Sequence, residues 1–304
     1  MKIAIYLAAI PKNKNDLKLQ VLKRFGQGVE RCGDQVQYIY DFGLGKSDVA
    51  VMQGFVHADV SSPHLKLRRN ILDNNENTVV IDSNLFQFAN AELANYYLRY
   101  SLNGIFPTTG FYFDNKIDQQ RWNSISQRLG VQLKDYRSNG NHILICLQRV
   151  SGWSMCNTDV QQWLDHTVAR IRKFTDRPIV VRKHPGDRRQ EQLKFSNLYS
   201  VSTNVSLLQD LKNCWATVTF NSSPGVASLV HGVPVFVTDP IPQQSQTWPI
   251  CNTDLSMITT PELHDREQWI NRLSQSHWND EEIESGAGWQ FMRERLSILK
   301  PNLC

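Results

Sequence analysis

The sequence predicts an α/β protein of two doubly wound halves, and three observations carry that reading. Short apolar runs alternate with amphipathic helical segments from Lys2 to Asp82, the alternation lapses and restarts at His142, and 304 residues exceed one domain of ordinary length. The elements follow in order. Lys2–Ala9 is almost continuously apolar and reads as a buried parallel strand. Leu17–Arg31 places apolar residues at helical spacing, and Gly33 stops it. Gln35–Tyr40 and Asp48–Phe55 read as strands, Leu65–Asp73 as a helix and Thr78–Asp82 as a fourth strand. Between Leu102 and Gly140 the rhythm fails. Aromatic and turn residues from Phe106 to Phe113 lead into a helix at Gln119–Leu129 and then a polar stretch, Lys134–Gly140, which together read as a hinge.

The second half opens with a strand at His142–Leu147, followed by a helix at Thr158–Phe174. Strands are expected at Pro178–Arg182, Leu198–Ser202, Ala216–Phe220 and Pro234–Val237, with a helix after Ser223. Two Rossmann-like halves result, and ligands of such sheets sit at the carboxyl ends of the strands. Near the end, Asn279 followed three residues later by Glu282 is a capping box, with Asp280 and Glu281 in the first turn. A last helix at Gly288–Leu299 precedes Pro301, and a closing helix of this kind can cross back to tie two lobes together. The expected units are residues 1–138, 139–275 and 276–304.

Hydrophobic residues at 41% and charged residues at 20% exclude collagenous, coiled-coil and wholly disordered chains. The apolar run Ile3–Ile10 is too short to span a bilayer or to act as a signal peptide, so a cytoplasmic protein with no membrane partner is expected. Six scattered cysteines contain no Cys-x-x-Cys pair, so reduced thiols and no structural metal are expected. The net charge of +4 is uneven: residues 1–140 hold 17 Lys and Arg against 13 Asp and Glu, and residues 141–304 hold 16 of each. A basic first half fits a polyanionic partner, and equally an ordinary soluble surface.

Two segments concentrate chemistry. Between Phe220 and Val237, an apolar strand ends at Asn221, Ser223 sits at the N-cap position, Pro224 takes the first helical position and Gly232 stops the helix. Such a turn aims N–H groups and hydroxyls at one point and suits a phosphate; the plain alternative is that Ser223 only caps its helix. In the second segment, Arg182, Lys183 and His184 follow the strand Pro178–Arg182 and enter a Pro185-Gly186 turn. Cations there can hold a diphosphate, and an imidazole can hydrogen-bond or protonate a leaving oxygen. The alternative is a solvated basic turn.

The pair Lys183-His184-Pro185 and Ser222-Ser223 resembles the HP and SS motifs of GT-B glycosyltransferases of the bacterial sialyltransferase and capsule-synthesis type. Ile81–Phe86, Tyr97–Ser101, Asn141–Arg149, Gly152–Ser154 and Asn252–Asp254 are similar to a group of glycosyltransferases encoded by T4-like bacteriophages, over most of the chain. The resemblance implies a GT-B fold with an interdomain cleft, an N-terminal acceptor lobe and a C-terminal lobe for the nucleotide-sugar donor, a UDP- or CMP-sugar. It also implies donor contacts from Lys183, Pro185, Asn221, Ser222 and Ser223. Gln148, Arg149, Ser151, Gly152 and Trp153 follow the first strand of that lobe and would face the cleft; a loop with a packed Trp153 is the alternative. No Asp-x-Asp metal motif of the GT-A type occurs, so metal-independent chemistry is expected, with Arg182 and His184 meeting the leaving group.

An inverting transfer needs a carboxylate in the first lobe to take the acceptor proton. Asp82 at its strand end is the first candidate and Asp114 the second, with His57 as another base or acceptor contact; stereochemistry stays open. The phage resemblance points to an acceptor such as 5-hydroxymethylcytosine in double-stranded DNA, modified against host nucleases, with the base extruded. His64, Lys66, Arg68 and Arg69, with Lys12, Lys14 and Lys18, would then meet backbone phosphates; each also reads as a solvated surface cation. The competing readings are a capsular polysaccharide or lipopolysaccharide glycosyltransferase, a non-catalytic nucleotide- or DNA-binding protein, and a sugar-nucleotide epimerase.

Overall fold

The computed structural model describes residues 1–11, 16–54, 62–94, 96–107, 117–150, 153–155 and 158–299. The first sheet is built from β1 (Lys2–Tyr6), β2 (Gln35–Ile39), β3 (Val49–Gln53), β4 (Thr78–Asp82), β5 (Tyr97–Leu102) and a late strand, β11 (His277–Asn279), in the order β11-β5-β4-β3-β1-β2. Neighbours from β2 to β4 run parallel, whereas β5 is antiparallel to β4 and β11 antiparallel to β5. Ile3, Ile5, Val49, Val51, Val79 and Ile81 line one face, where α1 (Asp16–Arg31) and α10 (Ala287–Leu299) cover them with Leu22, Phe25, Trp289 and Met292. Ala4, Tyr6, Ala50, Met52 and Val80 line the other face under α2 (Pro63–Asn74).

The second sheet is wholly parallel: β6 (His142–Cys146), β7 (Ile179–Arg182), β8 (Ser200–Val201), β9 (Cys214–Thr219) and β10 (Val235–Val237), in the order β10-β9-β6-β7-β8. Helices α5 (Val160–Ile171), α6 (Leu207–Leu211) and α7 (Pro224–Val230) accompany it. A further apolar cluster joins the two sheets. Leu85 and Phe86 meet Trp122 and Ile125 of α4 (Gln119–Leu129), Val226 and Val230 of α7, and Trp269 and Leu273 of α8 (Glu267–Ser274). Gln246 donates to the Ile105 carbonyl at 2.7 Å across the same seam, and α3 (Ala91–Ala94) lies nearby.

After α8 the chain returns to the first sheet as β11 and then α9 (Asp280–Glu284), opened by the Asn279–Glu282 capping box. Arg121 pairs with Glu282 at 2.5 Å and stacks over the Trp278 ring at 3.8 Å, fixing the return. Helix α1 packs so closely on α9 that a Cβ on Gly28 would collide with the Ile283 carbonyl.

Several sequence expectations shift. The first strand ends at Tyr6, because Leu7–Ala9 closes into a 3-10 turn, with Ile10 N–H donating to the Leu7 carbonyl. Tyr97–Leu102 and His277–Asn279 form strands that the apolar pattern of the sequence does not mark. Ser223 is not a capping residue: its backbone is already helical (φ −58°, ψ −24°) and its side chain makes no cap hydrogen bond. No helix among the described residues is long and apolar enough to cross a membrane.

Candidate functional site at the strand ends of the second sheet

Four adjacent strands, β10, β9, β6 and β7, end side by side, and each delivers a polar residue just beyond its last apolar one. They interlock. Gln148, after β6, donates from Nε2 to Asn221 Oδ1 at 2.9 Å and to Ser154 Oγ at 2.5 Å, and its Oε1 accepts from Asn221 N–H at 3.0 Å. Asn221, after β9, donates to Asp239 Oδ2 at 2.5 Å, and Asp239, after β10, also accepts from Ile241 N–H at 2.8 Å. Gln190 is fully buried and stitches β6 to β7, donating to the Gln148 carbonyl at 2.6 Å while accepting from His184 N–H at 2.7 Å. Asp187 accepts from Val150 N–H at 2.6 Å and from Arg189. Buried polar groups tied into one network rigidify the backbone carrying them, here the loops after β6, β7 and β9.

His184 sits half-buried on this frame. Its Nδ1 accepts from Gly186 N–H at 3.1 Å, so the ring proton is on Nε2. Burial, reinforced by the neighbouring Arg149 cation, lowers its pKa, so the ring is neutral at pH 7 and Nε2–H is a hydrogen-bond donor. Arg149 is exposed, and its guanidinium lies over the turn: a Cβ on Gly186 would stand 3.1 Å from Arg149 Nη2 and 3.6 Å from His184 Cε1. Lys183 places its Nζ 4.8 Å from the centre of the Phe195 ring. Burial raises the Asp239 pKa against its two hydrogen bonds. At Asp187 burial pushes upward too, but the bonds from Arg189 and Val150 N–H prevail and hold it low.

At the start of α7, Ser222 Oγ is buried with no hydrogen-bond partner among the described residues, while Ser223 and Pro185 lie at the surface. Arg182, expected at the leaving group, is engaged elsewhere. It pairs with Asp210 of α6 at 2.5 Å and donates to the carbonyls of Asn204 and Val205 at 3.0 and 2.8 Å, bracing β7 against its neighbours.

In the first sheet, Asp82 ends β4 opposite Arg99 of β5, and the two form an ion pair at 2.8 Å. Arg99 also donates to the Ile105 carbonyl at 3.3 Å, the same oxygen that accepts from Gln246. Arg68 is buried, donating to the Ala9 carbonyl at 3.0 Å and filling the space above Gly54, whose φ of +87° and lack of a Cβ admit the guanidinium. Lys66 and Arg69 of the same helix are exposed. His57, Asp114, Ser151, Gly152, Lys12 and Lys14 lie outside the described residues, and of Trp153 only the backbone is described. No cluster of three or more His, Cys, Asp or Glu at metal-binding distance occurs among the described residues.

Sequence reasoning missed Ser154, Asp187, Gln190, Asp239 and Arg99. Asp239 follows an apolar strand as Asp82 does, so the rule that picked one applies to the other. Gln190, in the polar run Asp187–Gln192, carries no local signal. A cavity of about 960 Å³ lies at the opposite end of the first sheet, lined by Met1, Asp48, Asn77, Gln290 and Arg293. We place the candidate site at the carboxyl ends, where open α/β sheets bind ligands.

No family model matches the chain, and no curated protein matches it by sequence. Among solved structures it is similar to Thermosulfurimonas dismutans KpsC, beta Kdo 2,4 transferase, at TM-score 0.59 and 11% identity over 92% of each chain. It is also similar to the KpsC beta Kdo 2,7 transferase of the same organism, at TM-score 0.54 and 14% identity, covering 95% of this chain and 99% of the other. At these identities the likeness is one of fold, and the fold is the GT-B arrangement of two Rossmann-like lobes.

Proposed function

We propose that the protein is a glycosyltransferase that moves a sugar from a nucleotide-sugar donor to a hydroxyl acceptor. The observation that carries this reading is the interlocked set of strand ends that fixes His184, with its Nε2–H, beside the Arg149 cation, at the same end of the sheet as the Ser222-Ser223 turn. In this reading residues 139–275 hold the donor, residues 1–138 present the acceptor, and residues 276–304 return to the first lobe. The acceptor oxygen attacks the anomeric carbon as Asp82 takes its proton on Oδ1, its Oδ2 being held by Arg99, and the bond from that carbon to the nucleotide phosphate breaks. Arg149, Lys183 and the His184 Nε2–H meet the charge on the leaving phosphate, without need of a metal. Arg149 replaces Arg182 here, because Arg182 is bound to Asp210.

A saccharide acceptor of capsule type is favoured by the likeness in fold to the two Kdo transferases. The second reading, hydroxymethylated cytosine in phage DNA, has the resemblance of the sequence and the exposed Lys66 and Arg69 behind it. Incubation with UDP-, CMP- and GDP-sugars, with either acceptor, tests both by product mass. A sugar increment on one acceptor is expected with one donor, and no nucleotide release with any donor overturns the glycosyltransferase reading. Asp82→Asn is expected to lower turnover by about 10²–10⁴-fold with donor affinity nearly unchanged, and His184→Ala by about 10²-fold. Wild-type turnover in Asp82→Asn removes it as the base.

A further inference from the structure

The connection from β2 to β3 lacks a helix, unlike those from β1 to β2 and from β3 to β4, which carry α1 and α2. Residues 40–48 instead form a strap on the α2 side of the sheet, anchored where Gly45 N–H donates to the buried Tyr6 hydroxyl at 3.1 Å and rests against Ile39. Along it Tyr40, Phe42 and Leu44 point into solvent, 73%, 55% and 44% exposed, with the Asp41–Gly43 turn between them. Lys46 is exposed at its foot, and Lys66 and Arg69 are exposed on α2, which packs on that same face.

We propose that this strap docks the protein onto the surface of an anionic lipid bilayer, with Tyr40, Phe42 and Leu44 entering the headgroup region and Lys46, Lys66 and Arg69 facing lipid phosphates. Aromatic rings favour the membrane interface, and neighbouring Lys and Arg add attraction to anionic headgroups. Three side chains offer on the order of 400 Å², about half of what each partner of a stable protein dimer buries, so a second copy is a poorer occupant. Surface docking needs no spanning segment, and the inference is independent of the glycosyl-transfer reading.

Co-sedimentation of the full chain with vesicles tests it, using phosphatidylcholine alone and phosphatidylcholine with about one-third phosphatidylglycerol. Binding to the mixed vesicles is expected, with partition falling at least about tenfold in the Tyr40→Ser, Phe42→Ser, Leu44→Ser triple variant, whose circular dichroism melt stays at the wild-type midpoint. Lys46→Glu with Lys66→Glu is expected to remove the preference for anionic over neutral vesicles. Wild-type protein left in the supernatant, or a triple variant that sediments equally, overturns the proposal. So does a wild-type dimer in sedimentation velocity that the triple variant dissolves, which would assign the strap to a second copy.

Discussion

Gln190 shows how much one side chain can hold. It has no exposed surface, and its amide satisfies two backbone groups at once, the Gln148 carbonyl and the His184 N–H. Gln190→Glu keeps an acceptor for His184 N–H but, when ionised, has no donor for the Gln148 carbonyl, and to regain one it must take up a proton. A loss of about 1–3 kcal/mol of unfolding free energy is expected in urea titration, with weaker UDP binding by calorimetry. Unchanged values in both would show that the bond to the Gln148 carbonyl is dispensable. His184 gives this level its pH sign: because its folded pKa is lowered, the neutral donor form persists below the ordinary imidazole range.

At the scale of elements, the tight crossing of α1 over α9 makes a prediction in which the sign decides. By propensity alone, Gly28→Ala inside α1 should stabilise by about 0.8–1 kcal/mol. The collision of the new methyl with the Ile283 carbonyl should reverse that, so a net loss of about 1–3 kcal/mol is expected in chemical unfolding. A more stable Gly28→Ala protein would show that the helices are not in this contact. Elements whose cause is local were legible in the sequence. Helix α4 runs Gln119–Leu129 as its pattern predicts, and the Asn279–Glu282 capping box forms as its spacing does. Strand β5 was not legible, because Arg99 interrupts its apolar run and makes sense only once Asp82 lies opposite. The three-residue β11 was hidden because its pairing partner is β5, far back in the chain. At the candidate site the motif residues His184 and Ser222 stood out, whereas the network beneath them draws on residues remote in sequence and was not readable from spacing.

For the whole molecule, acid sensitivity should centre on His277. It is fully buried, accepting from Leu85 N–H at Nε2 (3.1 Å) and donating from Nδ1 to the Leu273 carbonyl (3.0 Å), which fixes the neutral tautomer and joins β11 to the seam between the sheets. Burial first, then the nearby Arg99 and Arg121, push its pKa down to about 3. The unfolded chain takes up that proton near pH 6.5, so stability from this group is complete above about pH 6.5 and lost as pH falls toward 3. By pH 4 the loss is about 3 kcal/mol. Melting curves between pH 7 and pH 4 check this: His277→Gln should start less stable and decline less steeply than wild type, and parallel slopes would assign the acid sensitivity to other groups.

The late return of the chain also sets the order in which the protein can assemble during synthesis. The edge strand that pairs with β5 is residues 277–279, so the first sheet stays one strand short, with β5 unpaired on that side, until nearly the whole second lobe has been made. The N-terminal lobe therefore emerges from the ribosome first and is completed last, and during that interval the open edge of β5 is the part of the nascent chain that chaperones must shield.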